Sequence, residues 1–405
     1  KTFSKGKLIM KSYTHTDEQL QFIVKEGNRD DISWKQLAIN FEKKFGISKT
    51  ENAVRKLHST WKDHDFSSDE MLKNIKTAHS TKKLNSKLRK ENNTILDHLA
   101  LMENFLDDIN EVIVKSKVKK ENLPKARYSK KKKNMGVELF ISDVHVGLKT
   151  KSYNLEVCEK RVKKYTEDAI KDIGRHEKDY NISKIQINFA GDLMQGEHLH
   201  GADSQHSCEF SDARQMAESI RVFFYKVVLP VARLGHKVDI IGIAGNHDRQ
   251  SKDRPITNAG ERYLTYTIYK AMEMLCIEAR LTNVTWEIPL KEYTSFDMFG
   301  HNFIVEHGHA KGIQPNSNAL EKQLLKRANQ LGIIAKGIRI GHFHTSVVSN
   351  NGRHIVGPSP VSDDCFGDHL GYVSHPAMMI NYYVETKERN TSFYHSFDVN
   401  LENVT

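Results

Sequence analysis

The stretch "IRIGHFHTSVV", Ile338 to Val348, reads as a short apolar strand that stops at Gly341 and then sets His342 and His344 one residue apart. In an extended segment residues two apart share a face, so this spacing alone says only that both imidazoles lie on one side of the chain. Four other stretches have the same form. "GVELFISD" runs into Asp143-Val144-His145, "KIQINFAGD" ends on Gly191-Asp192, "KVDIIGIAGN" leads to Gly245-Asn246-His247-Asp248, and "HNFIVEHG" closes on His307-Gly308-His309. Short apolar strands, the first three separated by helical stretches at 155–175 and 211–234, predict an α/β domain whose strands are buried on both faces. In such sheets the functional crevice lies outside the carboxyl ends of the strands. Five strands would therefore deliver their terminal polar groups to one pocket.

Carboxylate, imidazole and amide oxygen without a thiolate suit a borderline-hard divalent ion such as Mn²⁺, Fe²⁺ or Zn²⁺. Asp143, His145, Asp192, Asn246, His307, His342 and His344 are too many ligands for one tetrahedral catalytic ion with an open position, whereas two ions sharing a carboxylate use them all. The order D-x-H, G-D, G-N-H-D, H-G-H, G-H-x-H resembles the calcineurin-like metallophosphoesterases over roughly Val137 to Thr345. That resemblance implies a β-sandwich of mixed sheets flanked by helices. It also implies that Asp143, His145 and His344 hold one ion, that Asn246, His307 and His342 hold the other, and that Asp192 bridges them. The expected cofactors are two divalent ions, Mn²⁺ foremost, with Fe²⁺, Zn²⁺ and Mg²⁺ as alternatives.

The chemistry implied is hydrolysis of a phosphoester. Two cations roughly 3.5–4 Å apart lower the pKa of a bridging water and clamp the attacking and leaving oxygens at phosphorus. His247 is the candidate general acid, a group that in the family is no ligand, and Asp248 is expected to orient it. His309 is expected behind the ligands. After the second motif, "GEHLHGADSQH" sets His198 and His200 on a loop over the site, where with Arg249 and Arg254 they are candidate phosphate contacts. An ordinary solvated polar loop is the competing reading.

Charge separates the chain into unlike parts. Net charge is +10, but residues 1–134 hold 30 Lys and Arg against 18 Asp and Glu, a balance of +12, and residues 135–405 hold 31 against 33, a balance of −2. The basic excess belongs to the front of the chain, which points to an appended nucleic-acid-binding region. Within residues 1–66, "THTDEQLQFIVKEG", "SWKQLAINFEKKFG" and "KTENAVRKLHSTWK" predict three short helices, the first with a Thr-x-x-Asp start and the second running from Ser33 to Gly46, with Trp34, Phe41 and Trp61 available for a small core. This arrangement resembles the Myb-like, SANT-type helix-turn-helix fold. The resemblance implies that the third helix lies in a major groove and aims Lys49, Asn52, Arg55 and Lys56 at DNA. The alternative is an ordinary bundle with solvated surface cations.

Residues 67–134 read as a helical hairpin or coiled coil over 67–118, open to homo-oligomerisation, followed by a lysine-rich linker. The catalytic domain is expected over 135–405. No apolar run reaches the ~18 residues of a membrane span, and four scattered cysteines suggest neither a disulfide framework nor a thiolate zinc site. A cytoplasmic protein with no membrane partner is the expectation, and the opening Lys1 suggests a fragment or processed chain. The phosphoester centre and the basic front together make DNA the economical substrate, so a phage-encoded nuclease like the DNA-repair enzymes is expected. A phosphatase or phosphodiesterase acting on a small molecule or phosphoprotein is the alternative, as is a DNA-binding assembly protein with a vestigial site.

Overall fold

Thr16 begins the first helix because its hydroxyl accepts from the Gln19 amide while the Gln19 side chain accepts from the Thr16 amide, a reciprocal capping box. The expected Thr-x-x-Asp start is thus displaced to Thr16. The computed structural model describes residues 15–63, 84–87, 89, 118–199, 202–250, 260–361, 375–386 and 391–405. The chain divides into two compact units, residues 1–98 and 99–405. In the first, α1 (Asp17–Gly27), α2 (Trp34–Phe45) and α3 (Glu51–Trp61) enclose Ile23, Leu37, Ala38, Phe41 and Val54. Helix α2 starts on Ser33 and stops at Gly46 in the left-handed conformation, as its sequence predicts. Trp34 is half-buried, its ring 5.1 Å from that of His58, so Phe41 and the aliphatic residues form this small core. Most of the expected helical stretch 67–118, and with it the expected self-association surface, lies outside the described residues.

The second unit is built on period-two alternation. Strands β1 (Lys133–Ile141), β2 (Tyr180–Ala190), β3 (Val238–Ile243) and β4 (Val284–Glu287) run parallel. A second sheet contains β5 (Tyr293–Met298), β6 (His301–Glu306), β7 (Ala335–Ile340), β8 (Val347–Ser349) and β9 (His354–Val356) in the order β5-β6-β7-β9-β8. Strands β10 (Ala377–Glu385) and β11 (Thr391–Asn400) return antiparallel to complete the first sheet, ordered β11-β10-β1-β2-β3-β4. Met135, Val137, Leu139 and Ile141 pack among residues of α4 (Leu155–His176), α5 (Asp212–Phe223) and α6 (Leu264–Glu278). Phe140 belongs instead to a cluster with Phe296, Phe303, Val305 and Met379 between the sheets. Beyond them, Ile304, Ile338 and Ile340 pack on Leu320 and Leu324 of α7 (Ser317–Leu331). The result is a helix, sheet, sheet, helix sandwich, the α/β class the sequence predicts.

A buried ion pair ties the two sheets. Glu138 of β1 and Arg339 of β7 are both fully buried and meet at 3.2 Å. The Glu138 carboxylate also accepts from Asn188 at 2.7 Å, from Asn381 at 3.1 Å and from the Tyr383 hydroxyl. The guanidinium donates to Tyr383 at 2.7 Å and lies 4.7 Å from the centre of the Phe303 ring. Removing one member strands the other charge in a dry interior, whereas an apolar pair of similar volume does not. Arg339→Met should therefore lower stability by about 3–5 kcal/mol in urea denaturation, and Glu138→Leu in the same chain should restore much of it.

Helix α4 is fastened by Glu159, which pairs with Arg221 at 2.6 Å and Lys226 at 2.9 Å. The Arg221 hydrogen bond, set against desolvation, brings the Glu159 pKa down to about 2. A depressed carboxyl pKa stabilises the fold above the unfolded-state value, and that contribution is lost as pH falls toward the folded one. The Tm advantage of the wild-type protein over Glu159→Gln should hold at pH 5 and above and shrink steadily between the ordinary glutamate pKa and pH 2.

Candidate metal centre

Strands β1, β2, β3, β6 and β7 end on one rim, and the residues that follow them meet there. Asp143 donates its amide to the Gly191 carbonyl at 3.1 Å, and His145 donates to the Asp192 carbonyl at 3.0 Å. The His342 amide donates to the Asp143 carboxylate at 2.9 Å. These turns demand unusual backbone. Asp143, His145, Asp192, His342 and His344 have φ of 55°, 50°, 51°, 72° and 52°, the left-handed region that L side chains rarely occupy. Each such residue costs about 1–3 kcal/mol and persists where the surroundings enforce it, a pattern concentrated at functional sites. Gly245 is required by proximity: a Cβ there would stand 2.0 Å from Asp192 Oδ1.

Three donor sets result. Asp143, His145 and His344 form one, Asp192, His307 and His342 a second, and His145, Asp192 and His247 a third, the donor atoms within each lying no more than 4.8 Å apart. His145 Nε2 and His344 Nε2 face each other at 3.2 Å, and His344 Nε2 lies 3.4 Å from Asp143 Oδ1. Ligand atoms sharing an ion at about 2.0–2.2 Å stand roughly 3–3.5 Å from one another, so this set fits a divalent cation. On the other side His307 Nε2 lies 2.8 Å from Asp192 Oδ2 and 3.0 Å from Asn246 Oδ1. His307 Nδ1 is 2.8 Å from the Ala190 carbonyl; donating there directs Nε2 at the ligands, the second partner that metal-binding histidines commonly have. All seven expected ligands thus come together, with Asp192 between the two groups.

The electrostatics follow from burial of like charges. Desolvation works hardest against the charged forms of Asp143 and Asp192, yet His307, joined by His344 at Asp143 and by His247 and His145 at Asp192, outweighs it and holds both carboxyls below their ordinary values, Asp192 well below. Desolvation would lower His307, but the two carboxylates lift it to about 9. His145 and His342 are pushed down to about 3, by desolvation first and then by neighbouring imidazoles, so both offer lone pairs.

Asp248 departs from its expected role. Its Oδ2 accepts from the Gly245 amide at 2.6 Å, the Thr265 hydroxyl at 3.1 Å and the Asp192 amide at 3.3 Å. Burial, then the Asp192 charge, raises its pKa to about 7. It braces the turn. The group that orients His247 is the Gln195 carbonyl, 2.8 Å from His247 Nδ1, while the ring stands edge-on to His145 with centroids 4.6 Å apart. His309 meets Glu292 at 3.2 Å, behind the ligands, and the Tyr263 hydroxyl donates to the same carboxylate at 2.6 Å.

Of the loop candidates, His198 pairs with Asp212 at 3.1 Å, and that hydrogen bond raises its pKa. Arg249 is half-buried in a bridge with Tyr263. His200 and Arg254 lie outside the described residues. Gln195, Thr265, Glu292 and Tyr263 were not singled out by sequence: one acts through a backbone carbonyl, which has no letter, and the others are remote from the motifs they support. In the first unit Asn52, Arg55 and Lys56 are exposed on α3, and Lys49 lies over the Phe41 ring at 5.6 Å.

No family model matches the chain, and no curated protein matches it. Among solved structures it is similar to Vacuolar Protein Sorting 29 from Cryptosporidium parvum, at 11% identity over 66% of this chain and 98% of that one, with a TM-score of 0.30. A zinc complex of Vps29 from Entamoeba histolytica is similar at 12% identity over 65% and 99% of the two chains, TM-score 0.26. A 5′-nucleotidase candidate from Staphylococcus aureus is similar at 11% identity over 67% and 55%, TM-score 0.34.

Titration calorimetry with Mn²⁺ or Zn²⁺ should find two bound ions per chain. His344→Ala should remove one and keep the other, while Gly245→Ala, by displacing the shared Asp192, should weaken both at least tenfold, on the order of what outer ligand partners contribute.

Proposed function

We propose that this chain is a hydrolase of the metallophosphoesterase type, a phosphodiesterase that uses two divalent ions, with Mn²⁺ the first choice, and acts on DNA. The observation that carries the reading is Asp192 standing between two groups of candidate ligands, one of Asp143, His145 and His344 and the other of Asn246, His307 and His342. When bound there, two such ions would activate water and stabilise charge on a phosphoryl group undergoing in-line displacement.

The chain's own residues supply orientation and a proton. His247 Nδ1 donates to the Gln195 carbonyl, which fixes the ring and directs Nε2 toward the cluster it shares with His145 and Asp192. Protonated at Nε2, this imidazole would donate to the leaving oxygen. His198, whose pKa the Asp212 hydrogen bond raises, supports the reading by offering a phosphate contact on the adjoining loop. DNA as the substrate is supported by the +12 balance of residues 1–134 and by Asn52, Arg55 and Lys56 exposed together on α3. The same features favour the helix-turn-helix reading of that unit.

With Mn²⁺ present, the protein should hydrolyse both an aryl phosphodiester and plasmid or linear DNA. Hydrolysis of the small ester with no action on any DNA would leave the phosphodiesterase and remove DNA as its substrate. His247→Ala should lower kcat about 10²–10⁴-fold with ion stoichiometry unchanged, and undiminished turnover would remove its assignment as the acid.

A further inference from the structure

We infer that the end of the six-stranded sheet remote from the metal centre binds single-stranded nucleic acid; the inference takes its ligand class from the DNA reading above. Tyr128 and Tyr394 are the exposed aromatic side chains among the described residues, at 55% and 51%. Both belong to this end of the sheet, where β1 and β2 begin. Ser129, next to Tyr128, is clamped by Asn181, whose side chain accepts from the Ser129 amide and donates to its carbonyl, each at 2.8 Å. Tyr180, next to Asn181, lies with its ring 6.1 Å from that of Tyr394.

Tyr394 rests on a firm base. Its ring stands 4.8 Å from that of His395 and 6.2 Å from that of His176. His395 in turn stacks on buried Tyr382 at 4.8 Å and 17°, and the Tyr382 hydroxyl donates to Asp172 at 2.7 Å. An aromatic face held this way loses little freedom when a base stacks on it.

Cations surround these rings. Residues 127–133 and 172–180 hold seven Lys and Arg against three Asp and Glu, a surplus of +4. Lys130, Lys131 and Lys133 are exposed, Lys133 opposite Tyr180 in the sheet. Lys132 Nζ donates to the Glu177 carbonyl at 2.6 Å, a backbone anchor that leaves its charge in place. The acids are partly spoken for, since Asp172 holds Tyr382 and Arg175, and Glu177 holds His236. Lysines that track a phosphate backbone, interleaved with open aromatic faces, suit unpaired bases; a paired duplex would use only the lysines. From Lys133 to Asp143 the strand runs roughly 30 Å at about 3.3 Å per residue, so this surface is separate from the metal centre.

The test uses the full chain in chelator, with fluorescence anisotropy of a short oligothymidylate and of a duplex. Tyr128→Ala with Tyr394→Ala should weaken the single strand about tenfold and leave the duplex unchanged. Lys130→Glu with Lys131→Glu should weaken both and flatten the salt dependence. Mn²⁺-dependent hydrolysis of an aryl phosphodiester should stay at the wild-type rate in both. Unchanged oligothymidylate affinity in the tyrosine variant would overturn the inference while leaving a DNA-binding wild type intact. A wild-type protein that hydrolyses the ester but binds neither oligonucleotide would overturn the DNA reading and this surface together.

Discussion

Asp143 and Asp192 are carboxylates buried away from water and close enough to share one histidine, and the rest of the site answers their repulsion. His307 lies 2.8 Å from one and 3.9 Å from the other. The pair lifts its pKa to about 9 against desolvation, drawing positive charge inward. A single imidazolium supplies one charge, whereas a divalent ion supplies two and accepts the lone pairs that His145 and His342 keep available. The backbone is arranged to the same end, with five of the candidate ligand residues in left-handed turns at the rim.

That convergence needs the two sheets to sit in one relative position. Asp143, Asp192 and Asn246 follow strands of the six-stranded sheet, and His307, His342 and His344 follow strands of the other. The interface between the sheets is mainly apolar, which gives adhesion without much direction. Glu138 and Arg339 add direction: a buried pair with hydrogen bonds to Asn188, Asn381 and Tyr383 has few satisfactory arrangements. These two polar side chains, each inside the buried stretch of its strand, are five residues or fewer from a candidate ligand in sequence.

Much of this was legible in the chain itself. Apolar runs ending in Asp, Asn or His announced both the strands and the rim, because a polar group at a strand end has to be exposed, bonded or bound. Ser33 and Gly46 announced the ends of α2 for equally local reasons. What could not be read were partners brought together by folding. Asp248 stood next to His247 and looked like its orienting group, but successive residues in this turn point to different neighbours, and the carboxylate went to the Gly245 amide and Thr265. Glu138 and Arg339 are 201 positions apart and gave no sign of each other. Left-handed backbone at Asp and His was equally silent, since glycine is the residue that signals it.

The division of the ligands between the sheets has a thermodynamic consequence. An ion held by Asp143 and His344, or by Asp192 and His307, would be a clasp between two layers that otherwise meet through apolar packing and the Glu138–Arg339 network. Anything that binds the assembled rim and not the separated sheets shifts the folding equilibrium by mass action. On the proposed reading, free metal concentration would then be a variable of state for the sandwich itself, and binding at the rim would help to offset the strain stored there.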